Sequence, residues 1–165
     1  MKRREFLKVT AGVSCGLIPL TNSVAFADLQ QKNQFLHVIV CKLDSVNGNN
    51  RIYPKAEIQK MIDHFNKYNN GQYLGELWIN NSKRTDYIRV LFSQVSHQLK
   101  TLEIVGNRLI AGIQILNTPN GKYLWENIDK FEFRLRSITD VVDGKLTNIK
   151  LVAVDAIPSF DAVPL

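Results

Sequence analysis

The sequence predicts an α+β domain in which a mostly antiparallel sheet curls or closes into a barrel and packs against two or more helices. Three observations predict this class. Several runs rich in β-branched residues alternate apolar and polar side chains, which is typical of half-buried strands. Turn signals such as Asp143-Gly144 join neighbouring runs as hairpins and make them antiparallel. Two stretches between these runs have apolar residues at helical spacing.

The predicted elements follow one another without an internal repeat or linker. Strands are predicted at 35–43, 73–78, 95–104, 109–116, 131–142 and 145–157. Helices are predicted at 54–68 and from about 122 to 130. In the first helix, Pro54 suits the opening turn, and the apolar face consists of Ile58, Met61, Ile62 and Phe65.

The clearest strand pattern runs from 131 to 136, where apolar and charged residues alternate. The apolar positions are Phe131, Phe133 and Leu135, and the charged positions are Glu132, Arg134 and Arg136. The charged face, with Lys130 before it, is the one candidate for nucleic-acid binding. The acidic Glu132 lies among these basic residues, and the face has no aromatic side chain that could stack on a base. We therefore expect a solvated strand and no nucleic-acid partner.

Charge and composition exclude several classes of protein. The chain has 165 residues, 45% of them hydrophobic, and a formal net charge of +6. This composition does not fit a collagen-like, disulfide-rich or disordered chain, and the length favours one domain. Half of the net charge lies in residues 1–27, which leaves an ordinary +3 for the remainder.

The N-terminus resembles a twin-arginine signal peptide. Arg3 and Arg4 are followed by Phe6 and Leu7, then by a short apolar stretch and an Ala-Phe-Ala sequence before Asp28. The stretch is shorter than the ~20 residues needed to span a membrane, so we expect only transient membrane contact. We predict a signal peptide at 1–27, a linker at 28–34 and one domain at 35–165. The alternative is a basic N-terminal arm of a cytosolic protein.

The sequence predicts neither a metal site nor a cofactor. The histidines, cysteines and carboxylates lack the spacing of a zinc or iron site, and the glycines are too dispersed for a phosphate loop. Signal cleavage would remove Cys15, so Cys41 could form no intrachain disulfide and is expected to pack as a small hydrophobe. We expect His64 on a solvated helix face and His37 in the first strand.

Five segments, read in order, resemble the prohead proteases of tailed bacteriophages, a family of serine peptidases with a herpesvirus-assemblin-like fold. The segments lie at 47–55 (Asn-Gly-Asn-Asn-Arg-Ile-Tyr-Pro-Lys), 74–77 (Leu-Gly-Glu-Leu), 95–115 (beginning Val-Ser-His), 118–122 (Thr-Pro-Asn-Gly-Lys) and 154–162 (Val-Asp-Ala-Ile-Pro-Ser-Phe-Asp-Ala). The resemblance covers about 36–162 and implies this family's fold.

The resemblance also implies where catalytic residues should stand, and the chain departs from the family there. The family's general base follows Gly-Glu-Leu closely, at the position of Ile79. Its nucleophile stands at the position of Arg134, with Arg136 matching a family arginine and Ser137 replacing a glycine. A serine nucleophile needs a base to remove its proton, and neither isoleucine nor arginine can act as base or nucleophile. We therefore expect no proteolysis by the family mechanism.

The weak substitutes for these catalytic groups are Ser96, His97 and Ser137. Adjacent residues of a strand point to opposite faces, so we expect no hydrogen bond between Ser96 and His97 and a structural role for His97. The proximity of His97 to any serine tests this expectation.

Three functions follow as hypotheses. The preferred one is a catalytically inactive prohead-protease-fold protein that serves capsid assembly as a scaffold or binding module, with capsid or scaffold proteins as partners in the host cytoplasm or prohead. Arg134, with Arg136 beside it, would bind a carboxylate of a partner. The first alternative is an active maturation protease that uses Ser96, Ser137 or Ser159. The second is an exported binding module in the periplasm.

Overall fold

The computed structural model describes residues 34–71, 73–79 and 88–159. The strands are β1 (Phe35–Lys42), β2 (Leu74–Glu76), β3 (Val95–Val105), β4 (Arg108–Ile115), β5 (Phe131–Val142) and β6 (Lys145–Pro158). The helices are α1 (Lys55–Tyr68) and α2 (Pro119–Glu126), and short 3₁₀ turns lie at Phe92–Gln94 and Ile128–Lys130.

The strands form two antiparallel sheets that join at one edge. The first has the order β1-β4-β3-β2, and the second is the β5-β6 hairpin. A parallel bridge between Leu77 and Ala156 continues β2 onto β6, and the Trp78 N–H donates to the Ala156 carbonyl at 2.9 Å. The sheet therefore curls into a half-barrel, which confirms the predicted α+β class.

The core lies inside this curl. Leu36, Val38 and Val40 of β1 point inward, as the alternation of that strand predicts. The predicted apolar face of α1 is buried as a whole. Burial of each large apolar side chain contributes roughly 1.5–3 kcal/mol, so this shared face keeps α1 against the sheet.

The two predicted hairpins are present. Gly106 lies in the turn between β3 and β4 with φ +62°. Between β5 and β6, Asp143 and Gly144 both have positive φ, of 50° and 74°. Two successive positive φ values match the twist of the flanking strands, which is why an Asp-Gly pair indicates a hairpin so well.

Three element boundaries differ from the predictions. Helix α2 begins at Pro119 and ends at Glu126, and a separate 3₁₀ turn follows it. The Thr118 side chain caps α2 by accepting the Gly121 N–H at 2.9 Å, so the Thr-Pro-Asn-Gly sequence opens the helix. Pro54 precedes α1 as its N-cap, and β2 has only three residues.

The predicted signal peptide, with Arg3, Arg4, Phe6 and Leu7, lies outside the described residues, and so do 28–33 of the linker and 160–165. The domain boundaries therefore stay predictions. Of the helices in the described part of the chain, none is long and apolar enough to cross a membrane.

Candidate functional site

The two positions at which the resemblance implies catalytic groups both lie at the surface. Ile79 ends the described segment 73–79 and is 50% exposed. Arg134 lies on β5 with its side chain 51% exposed, and its guanidinium forms an ion pair with Glu132 at 2.5 Å. Neither side chain can remove a proton from a nucleophile or attack a carbonyl carbon.

Arg136 is buried, and the expectation of a solvated strand face is wrong for this residue. Its guanidinium lies between the carboxylates of Glu76 and Asp155, and the three side chains are 8%, 0% and 6% exposed. Nη2 donates to Glu76 Oε1 at 3.1 Å and to Asp155 Oδ1 at 3.3 Å. Nε lies 2.9 Å from Asp155 Oδ2 as an ion pair without hydrogen-bond geometry. Arg136 is already engaged within the fold, so its part in the predicted carboxylate-binding site is wrong too.

Main-chain groups complete this buried ion-pair cluster, which consists of Glu76, Arg136 and Asp155. The Glu76 N–H donates to Asp155 Oδ1 at 3.0 Å, and the Leu91 N–H donates to Glu76 Oε1 at 2.7 Å. Arg136 Nη1 donates to the Arg89 carbonyl at 3.2 Å. Buried charges are tolerated only where such partners replace water. The cluster thus joins β2, β5 and β6 to residues 89–91.

Sequence reasoning missed Glu76 and Asp155 as partners of Arg136. Both residues lie in segments that resemble the protease family, but no role was predicted for either. The available signal was a lone acidic residue inside each of two otherwise apolar stretches, since an acid is seldom buried unless it is paired.

Ser96 and His97 form a hydrogen bond of 2.8 Å between Oγ and Nδ1, so the expectation that they do not meet is wrong. Alternation fixes where adjacent Cβ atoms point, but adjacent Cα atoms are only about 3.8 Å apart, so polar atoms can meet beside the strand. Both side chains are buried, and neighbouring strands flank β3 here. Leu116 donates its N–H to the Ser96 carbonyl, and Gly75 lies against the His97 ring.

The hydrogen-bond partners of the His97 ring show which of its two nitrogens carries the proton. Nε2 lies 2.8 Å from the Val154 carbonyl, which can only accept, so Nε2 carries the proton and donates it. Nδ1 then accepts from the Ser96 hydroxyl. A nucleophile, a base and an orienting group are thus in contact, which is the geometry sought in a serine peptidase. However, Ser96 and His97 are both 0% exposed, so no substrate carbonyl can reach the hydroxyl.

His97 is expected to make stability depend on acidity. Burial lowers its pKa to about 4 from an ordinary 6.5, with partial opposition from the hydrogen bond to Val154. Between pH 4 and pH 6.5, the His97 ring is protonated in the unfolded chain but neutral in the folded protein. The free energy of unfolding is therefore at its full value above pH 6.5 and falls as the pH drops toward 4. We expect a loss of about 2 kcal/mol from pH 7 to pH 4.5, measured by urea unfolding. A His97→Gln variant should lose less over this interval, and equal losses would contradict the assignment.

The two ring nitrogens of His97 contact Ser96 and Val154, so neither nitrogen is left to act as base for Ser137 or Ser159. Ser137 pairs with Leu151 next to an irregularity in the β5-β6 register. Ser159 follows β6, and its N–H donates to the Lys130 carbonyl at 2.9 Å.

The other histidines contact aromatic rings. His37 meets Phe35 edge to face at 5.1 Å, and the ring of His64 lies 4.6 Å from that of Tyr68. No group of three potential ligands among histidines, cysteines and carboxylates occurs within 34–71, 73–79 and 88–159.

Cys41 is expected to be unreactive in the folded protein. Burial raises the pKa of its thiol to about 12, so the thiolate is a minute fraction at neutral pH. In a Cys15→Ser chain at pH 8, labelling by a disulfide reagent should be on the order of 10³-fold slower in native buffer than in guanidinium chloride. Similar rates in both solutions would contradict this prediction.

The described residues form an α+β domain with a curled half-barrel sheet and two helices. Among solved structures, the chain is similar to the capsid assembly protease gp21 of bacteriophage T4, with a TM-score of 0.62 and 23% sequence identity. The similarity covers 77% of this chain and 82% of that chain. The two therefore share a fold, as the sequence resemblance implied. No protein-family model matches the sequence, and no curated protein matches it.

Proposed function

We propose that this chain is a catalytically inactive protein of the prohead-protease fold that serves capsid assembly as a scaffold or binding module. The fold supports the proposal because the similar T4 protein is a capsid assembly protease. The observation that carries it is Arg134, whose guanidinium is paired with Glu132 where the resemblance implies the nucleophile. Ile79 at the implied position of the base supports the same conclusion.

The proposed binding role rests on the exposed half of Arg134. A guanidinium presents a rigid fork of donors that matches a carboxylate, so an acidic side chain or chain end of a capsid protein suits this position. Glu132 already occupies part of the fork, and a partner carboxylate would share it or replace Glu132. Replacement of Arg134 by alanine should weaken co-purification with the co-expressed capsid protein, whereas Arg108→Ala, at the exposed first residue of β4, should not. Equal capture by both variants would remove Arg134 from the binding role.

A peptidase assay tests the inactive state directly. We expect the purified full-length chain to show no turnover of casein or capsid protein, and no labelling by a fluorophosphonate that modifies activated serines. Serine-type turnover above that of buffer would overturn the proposal. Ser96→Ala, Ser137→Ala and Ser159→Ala would then identify the nucleophile.

One observation favours a second candidate, an active maturation protease. Ser96 donates a hydrogen bond to His97, so an opened β3 could present a nucleophile with its base in contact. In that case Ser96→Ala would abolish processing of capsid protein. If processing continued unchanged in this variant, Ser96 would be excluded as the nucleophile, and unchanged processing in Ser137→Ala and Ser159→Ala as well would exclude the second candidate.

We also propose that the N-terminal 27 residues direct export, which makes a periplasmic binding module the alternative setting. The support is the sequence alone: paired Arg3 and Arg4, then Phe6 and Leu7. Mass spectrometry of the protein from its native host should find Asp28 as the first residue. Replacement of both arginines by lysine should then retain the uncleaved chain, and an intact Met1 in the native protein would favour the cytoplasm or prohead.

A further inference from the structure

We propose that the buried ion-pair cluster of Glu76, Arg136 and Asp155 is a latch that fixes residues 88–91 against the sheet and lets them open while the rest of the domain stays folded. This inference is independent of the proposed function, because it concerns how one segment is held.

Two contacts from the cluster reach the backbone of this segment. Glu76 Oε1 accepts the Leu91 N–H at 2.7 Å, and Arg136 Nη1 donates to the Arg89 carbonyl at 3.2 Å. Because one partner in each bond is ionised, these bonds are stronger than neutral ones. Glu76 belongs to β2 and Arg136 to β5, so the contacts tie the segment to the half-barrel.

Side-chain burial contributes little to holding the segment. Of the apolar side chains in 88–91, Ile88 is 65% exposed and Leu91 42%, and Val90 is half-buried. A segment that buries little apolar surface is held mainly by its polar contacts, and such segments are the ones that open locally. The side chains of Glu76, Arg136 and Asp155 are in contrast buried.

The chain after Leu91 is anchored separately, which provides a fixed end for the opening. The Leu77 N–H donates to the Gln94 carbonyl at 2.9 Å, and Asn120 Nδ2 donates to the Ser93 carbonyl at 2.9 Å. These bonds involve other groups than the ion pairs, so β3 can keep its place when residues 88–91 leave. Opening would admit water to the two carboxylates and the guanidinium.

Hydrogen exchange followed by NMR on the full-length chain tests the latch. In the wild-type protein, the Leu91 amide should exchange about 100-fold faster than those of Leu99 and Leu116, which are bonded within the half-barrel. Low concentrations of urea should leave the Leu91 rate unchanged and raise the other two, because local opening exposes little surface.

Glu76→Gln keeps the shape of the side chain and removes its charge, so it should speed Leu91 exchange by about tenfold. The matched control is Glu103→Gln, an exposed residue of β3, which should leave that rate within about twofold. The latch would be overturned if the wild-type Leu91 amide exchanged at the rate of Leu99 with the same urea dependence. It would also be overturned if Glu76→Gln left Leu91 exchange unchanged.

Discussion

Replacing Arg136 with methionine is expected to lower the free energy of unfolding by about 3–5 kcal/mol. The substitution removes one positive charge and leaves Glu76 and Asp155, 0% and 6% exposed, facing each other in the interior. Methionine fills much of the space of the arginine stem, so the expected loss comes from uncompensated charge more than from a cavity. Urea unfolding at pH 7 measures the effect through the shift of the midpoint.

Arg134→Met is the matched control, because Arg134 lies two residues away on the same strand face. Its partner Glu132 is partly exposed, and exposed ion pairs contribute about 0–1 kcal/mol. We therefore expect a small effect from Arg134→Met and a large one from Arg136→Met. Equal effects would contradict the assignment of Arg136 as the buried counter-charge.

The elements that could be predicted from sequence are those whose signals are local. The β5-β6 hairpin follows from alternation on both sides of Asp143-Gly144, and α1 follows from one apolar stripe. The start of α2 is equally local, but the predicted helix begins at about 122 and the observed one at Pro119, because Thr118 and Pro119 suit both a turn and a helix N-terminus.

The partners of Arg136 and His97 could not be predicted, because they depend on pairings between distant segments. Alternation treats Arg134 and Arg136 alike. Arg136 is buried because it pairs with Glu76, 60 positions earlier, and with Asp155, 19 positions later. His97 likewise meets the Val154 carbonyl, 57 positions away. Glu76, His97 and Asp155 all lie in segments that resemble the protease family. Their contacts in the fold give a physical reason why these residues occur together.

Gly75→Ala is expected to lower the free energy of unfolding by more than about 3 kcal/mol, a large share of the roughly 5–15 kcal/mol that is typical of a domain. A Cβ on Gly75 would lie 2.1 Å from His97 Nε2 and 2.3 Å from the Val154 carbonyl oxygen. These two atoms are hydrogen-bonded to each other, so the added methyl group would enter the bond that orients the His97 ring. Soluble yield and the urea midpoint measure the effect.

Gly48→Ala is the control for this substitution, since no atom lies within 4 Å of a Cβ at that position. It should change the free energy of unfolding by less than about 1 kcal/mol.

A second variant separates the two clashes at Gly75. His97→Ala added to Gly75→Ala removes the ring but leaves the Val154 carbonyl, a main-chain group of β6 that no side-chain change can move. We therefore expect no rescue in the double variant. Full rescue would mean that β6 can shift past β2. The hydrogen bond of 3.0 Å from the Glu76 N–H to Asp155 Oδ1, which joins the same two strands, would then not hold them in place.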